Sequence, residues 1–162
     1  MIRDLGPCSV TFDSVDLGST KGGVKFKFTE DSKPVNEDQK GVTNVDEIKV
    51  GVSACEVEVP LTRSTLAQLA KVIGGATQNP TTKLSVSNEV GVSMYEGAAL
   101  LILKPIVNGV ASTNTADWLN IPKAYPKVDF EITFDNEGQR VYKTTFKGFP
   151  DASSGLIWFM GL

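Results

Sequence analysis

Two pairs of carboxylates stand two residues apart, Glu56 with Glu58 and Asp129 with Glu131, each inside a stretch that alternates apolar and polar residues. On one face of a strand this spacing sets the acids about 7 Å apart, a separation that two carboxylates can use for glycoside hydrolysis. A plainer reading is favoured for both pairs. Glu56 and Glu58 fit a solvated, subunit-facing or channel-facing side, and Asp129 and Glu131 have Lys143 and Lys147 to answer them on the following strand. The chain has no histidine, so Ser-His-Asp and Cys-His activation and the usual zinc ligands are absent. Gly18-Ser19-Thr20-Lys21-Gly22-Gly23 has the composition of a phosphate-binding loop but not its Gly-Lys-Ser/Thr order, and no helix follows. It reads as a hairpin turn. Asp135-Asn136-Glu137-Gly138 lacks the ligand spacing of a calcium loop. Trp158-Phe159-Met160 offers an aromatic platform, yet a terminal strand tied into the core or a subunit interface suits it better. The expectation is therefore no enzyme, with no catalytic residue, metal ligand or cofactor site.

The totals agree with a structural role. At 162 residues, 41% apolar and 22% charged, the chain is most simply one globular domain, 1–162. A net charge of −3 and no Lys/Arg cluster longer than a dipeptide argue against a surface that grips nucleic acid. Passage of DNA along a non-adhesive wall stays compatible, because a neutral or acidic wall repels a polyanion. The first residues lack an apolar core of signal-peptide length. The longest apolar run, Ala98 to Leu103, is too short to cross a bilayer. Synthesis and residence in a cytoplasm, with no membrane partner, are expected. Cys8 and Cys55 lie 47 positions apart without a CxxC context. A disulfide and two buried thiols both stay open, the thiols favoured in a reducing compartment.

Period-two patterns dominate the elements that must position these residues. Strands are expected at Ser9–Phe12, at Val24–Phe28 with Lys25 and Lys27 outward, and from Ile48 onward. There the apolar phase slips by one residue between Ala54 and Cys55, which predicts a bulge or bend. One helix is expected over about 63–74. Leu66, Leu69, Ala70 and Ile73 form its apolar stripe, Thr62 or Ser64 its cap, and Gly74-Gly75 its end. Later strands are expected at Lys83–Val86, Val90–Tyr95, Ala98–Pro105, Val128–Phe134 paired with Arg140–Phe149, and Leu156–Met160. Val110–Pro126 reads as irregular, anchored by Trp118, Ile121 and Tyr125. The fold class is mainly β, an antiparallel sandwich or barrel with one flanking helix. Between the second and third strands lies a polar excursion, 29–46. Its acids Glu30, Asp31, Glu37, Asp38 and Asp46 outweigh Lys33 and Lys40 to give −3, the net charge of the whole chain. Loops beyond about 12–15 residues are uncommon in compact domains and usually functional or disordered. This one has few apolar anchors beyond Val35, Val42 and Val45 and includes Pro34. It is read as a contact arm that something outside the subunit orders.

With these parts in order, the chain resembles the major tail proteins, or tail tube proteins, of long-tailed bacteriophages. Leu5-Gly6-Pro7-Cys8-Ser9-Val10-Thr11-Phe12 and Val15-Asp16-Leu17-Gly18-Ser19-Thr20-Lys21-Gly22-Gly23-Val24 carry the likeness. The acidic loop with Asp46-Glu47, the strand into Val59-Pro60-Leu61-Thr62 and the helix Thr65 to Ile73 extend it. The resemblance implies a β-sandwich with a flanking helix, six copies to a ring, and rings stacked into a hollow tail tube. It implies an arm that reaches a neighbouring subunit or ring and an acidic lumen, for which Glu56 and Glu58 are the candidates. It implies no catalytic residues. Copies of itself, tape-measure, tail terminator and distal tail proteins would be the partners, and DNA would pass through without specific binding. The location implied is the virion tail, assembled in the host cytoplasm. A tail terminator or baseplate protein, or the tube of a contractile injection device, is the neighbouring alternative. From another class, a soluble carbohydrate- or receptor-binding module using Trp118, Tyr125 or Trp158 is the rival.

Overall fold

The computed structural model describes residues 6–79, 82–127, 129, 131, 132, 134, 136–138 and 140–162. The expectations placed on Leu5, Val128, Phe130, Thr133 and Asp135 lie outside them. Strand β1 (Cys8–Phe12) turns at Asp13-Ser14, both at positive φ, into β2 (Val15–Asp16), and β3 (Ser19–Thr20) follows. A long hairpin of β4 (Lys25–Asn36) and β5 (Asn44–Thr62) leads to the helix α1 (Leu66–Val72). A small hairpin, β6 (Ala76–Gln78) with β7 (Leu84–Val86), comes next. The chain continues through β8 (Ala99–Val107), β9 (Val110–Ala111), β10 (Leu119–Lys127), β11 (Tyr142–Phe149) and β12 (Phe159–Met160). The described residues thus form a mainly antiparallel β fold with one short helix.

The main sheet runs β2-β1-β8-β10-β11-β5-β3, with β4 on β5 beside β3. Its two ends, β2 and β3, are separated in sequence by only Leu17 and Gly18. Three Cα–Cα steps span at most about 11 Å, so the sheet must roll until its ends nearly meet. Backbone bonds hold each end to its own neighbour: Leu17 N–H donates to Val10 O of β1 at 2.9 Å and Lys21 N–H to Pro60 O of β5 at 3.0 Å. Gly18, at φ 84°, fits there because a Cβ would lie 3.2 Å from Nε2 of Gln68. That same Nε2 donates to Asp16 O.

Alternation decides what the barrel encloses. Val10 and Phe12, Val57 and Val59, Leu101 and Leu103, Ile121 and Phe146 point inward and are buried. The rings of Phe12 and Phe146 meet at 4.9 Å. Val72 at the end of α1 and Ile73 just after it join this core. Its start is a capping box: Thr65 Oγ1 accepts from Gln68 N–H while Gln68 Oε1 accepts from Thr65 N–H. The helix lies inside the expected span, with Thr65 rather than Thr62 or Ser64 as its cap.

Five expectations are corrected. Residues 29–46 are not a loop: 29–36 belong to β4 and 44–46 to β5, leaving a turn whose centre is the 3₁₀ segment Asp38–Lys40. The polar composition that suggested a loop belongs to a two-stranded ribbon exposed on both faces. Among the described residues 128–141 carry no strand, and β11 pairs instead with β10, inside the stretch read as irregular. Pro122 and Pro126 disguised β10, and Pro122 falls within the register shift between Ile121 and Ala124, where a missing N–H is tolerated. Finally, 90–95 are irregular and end in a turn rather than forming a strand, and the last strand shrinks to Phe159–Met160. The phase slip near Ala54 is a bulge, since Thr29 faces Ala54 and Glu30 faces Val52, leaving Ser53 unopposed.

Candidate assembly surfaces

Beyond Thr29 and Ala54 the β4–β5 hairpin leaves the barrel as a free ribbon. Eight residues, 29–36, give it a reach of about 26 Å. Two further bulges leave Val50 and Val45 unopposed in β5, adding local twist. Between 29 and 50 only Val35 and Val45 are half-buried, and every other residue is exposed. Val42 is 98% exposed at the tip, and Ile48 and Val50 stand more than half exposed. Glu30 pairs with Lys49, and Glu37 with Lys40 at 3.0 Å. Asp46 Oδ1 accepts from Glu47 N–H. Asp31, Lys33 and Asp38 make no ion pair among the described residues. Pro34 sits opposite Glu47 in β4, an edge strand, where proline costs no ladder bond on its free side. The expected arm residues are therefore brought together, in a more ordered form than expected.

Glu56 and Glu58 face outward from the barrel, and their surroundings differ from what the sequence suggests. Across the sheet, Lys27 on β4, Glu56 on β5 and Lys147 on β11 lie in one rung, and Lys25, Glu58, Thr145 and Lys127 in the next. Lys143 Nζ lies 3.8 Å from Glu58. The lysines of β11 thus answer Glu56 and Glu58, not Asp129 and Glu131. Lys123 Nζ rests over the ring of Tyr95, which packs edge-on to Phe149, and Lys147 Nζ lies over Phe149. Six lysines surround two glutamates, so the wall around the expected acidic pair is basic. Sequence reading missed this wall because it matched the lysines to the nearer acids. The alternation of Lys25/Lys27, Glu56/Glu58 and Lys143/Lys147 held the signal.

The aromatic candidates are engaged. Trp118 Nε1–H donates to Ser112 O at 2.8 Å, and Lys104 Nζ sits 4.3 Å above its ring. Trp158 is met edge-on by both Phe26 and Phe28. Tyr125 lies so close to Gly74 that a Cβ there would be 2.5 Å from its hydroxyl. All three rings are half-buried. Cys8 and Cys55 are free thiols, and burial pushes both above the ordinary thiol value, helped at Cys55 by the charge of Glu56. Among the described residues no group of acids and thiols could hold a metal ion, and no helix is long and apolar enough to cross a membrane.

No protein-family model matches the chain and no curated protein matches it by sequence. Solved structures do. A chain of the sheath-tube complex of an extracellular contractile injection system (PVC) in the extended state has TM-score 0.55 and 12% identity, covering 91% of this chain and 86% of its own. A chain from the sheath/tube terminator of the same kind of system has TM-score 0.54 and 11% identity, covering 91% and 92%. The barrel described above is thus a fold also found in components of an extracellular contractile injection system.

Proposed function

We propose that this chain is a structural subunit of a phage-tail-like tube, assembling with copies of itself into stacked rings around a hollow axis. The observation that carries this reading is the likeness over 91% of the chain to sheath-tube and tube-terminator components. The exposed ribbon supports it, since an ordered two-stranded arm without a buried face has little to stabilise it in a lone copy. In the fuller form of the reading the tube belongs to a virion tail built in the host cytoplasm. Its rings hold six copies, and tape-measure, terminator and distal tail proteins complete it. DNA passes without specific binding, and no catalytic step is assigned.

A second reading, a tube terminator, is favoured by the comparable match to a terminator chain. Negative-stain electron microscopy of concentrated protein separates the two. Long tubes are expected from a tube subunit and single closed rings from a terminator. A chain that stays monomeric at millimolar concentration overturns both.

A further inference from the structure

The ribbon and the barrel wall carry opposite charge. Residues 29–50 hold Glu30, Asp31, Glu37, Asp38, Asp46 and Glu47 against Lys33, Lys40 and Lys49, net −3, so the rest of the chain is neutral. Within that neutral body the wall formed by Lys25, Lys27, Lys123, Lys127, Lys143 and Lys147 around Glu56 and Glu58 is +4. Neither set is fully ion-paired at home, although Asp46 and Glu47 accept hydrogen bonds within the ribbon and Lys123 and Lys147 lie over aromatic rings. Asp31, Asp38, Asp46 and Glu47 make no ion pair among the described residues, and of the wall lysines only Lys143 makes one.

The ribbon is badly placed to cover its own wall. It prolongs the two strands that carry Lys25, Lys27, Glu56 and Glu58, and its ladder holds it extended beyond them. The dimensions suit a neighbour. Four strands of wall are roughly 15 Å across and the ribbon is about 26 Å long. We infer that the lysine wall of one copy receives the acidic ribbon of the next copy in a head-to-tail contact. This rests on the reading of the chain as a self-assembling subunit and adds which surfaces meet. A heterologous contact of this kind repeats from copy to copy. It would also withdraw the lysines from a lumen where they would hold a polyanion by counterion release.

The test is charge exchange, followed by sedimentation velocity and negative-stain microscopy at roughly 0.05 M and 0.5 M salt, a range over which the screening length shortens several-fold. Wild-type protein is expected to associate at low salt and more weakly at high salt. Lys127→Glu with Lys147→Glu, or Asp31→Lys with Asp38→Lys, is expected to lower association on the order of tenfold or more. The four changes together are expected to restore it. Circular dichroism checks that each variant folds. Where a reversed chain does not fold, the Lys→Gln and Asp→Asn versions carry the same test, with weakening expected from each. Tubes from wild type and from both reversals alike would overturn this contact while leaving the assembly reading intact. A combined variant that is not rescued overturns it too. So does a wall reversal that assembles normally but loses wild-type affinity for short duplex DNA, which would give the wall to a polyanion. A wild-type chain that never associates removes both readings.

Discussion

Gly148 shows how closely the strands of this barrel approach one another. A Cβ there would lie 2.7 Å from Cys55 Sγ and 3.1 Å from Ile121 Cγ2, and both neighbours belong to the buried core. Gly148→Ala is therefore expected to destabilise the fold by about 1–3 kcal/mol through overpacking. At roughly 2–4 °C per kcal/mol for a chain of this size, calorimetry would read the loss directly, and an unchanged melting temperature would contradict the packing described. The thiol beside it titrates in a known direction. Because burial raises the folded-state value at Cys55, its contribution is complete below about pH 8.5, the ordinary unfolded value. That contribution fades as pH rises through the folded value. The melting temperature of wild type should then fall more steeply in alkali than that of Cys55→Ala, and equal slopes would refute the assignment.

At the scale of elements, what was legible in the sequence depended on whether the pattern had a single physical cause. Val57, Val59 and Phe26 alternate because one face is buried, so β4 and β5 were readable, as was the slip that became the Ser53 bulge. The helix was readable from its stripe, and its cap is testable. Thr65→Ala removes the acceptor for Gln68 N–H and is expected to cost about 1 kcal/mol, with Thr65→Ser recovering most of it. The strand β10 was hidden because Pro122 and Pro126 signal turns locally, whereas a bulge and an established sheet override them. The ribbon was hidden for a different reason: polar residues on both faces leave no alternation to read, and pairing comes from the hairpin itself. Replacing 33–44 by a short Gly/Ser turn should leave the barrel melting within a few degrees of wild type, because the excised residues are almost all exposed. Tube formation should be lost. Tubes of normal appearance from that variant would show that the ribbon is not the arm. The basic wall was only half legible, since the alternation of charged residues shows along each strand but which strands meet is set by the register of β4, β5, β11 and β10.

The molecule as a whole exposes more surface than a monomer of its size should. Its accessible area is 10650 Å², against about 7,900 Å² expected for a monomer of 17.4 kDa. The ribbon contributes to it, with Val42, Ile48 and Val50 each more than half exposed. A segment with a hydrogen-bond ladder but no buried side opens at little cost in free energy. In dilute protein the amides of 30–36 and 44–50 should therefore exchange with solvent far faster than those of Val57, Val59 or Leu101. In the proposed assembly both ribbon edges and the apolar positions would gain cover. Hydrogen exchange measured before and after assembly should show protection rising by orders of magnitude along the ribbon while the barrel core changes little. If the ribbon is already as protected in the lone chain as the core, its stability does not come from a neighbour. Protection confined instead to the exposed stretch around Val86, Val90 and Val92 would move the contact to that side of the barrel.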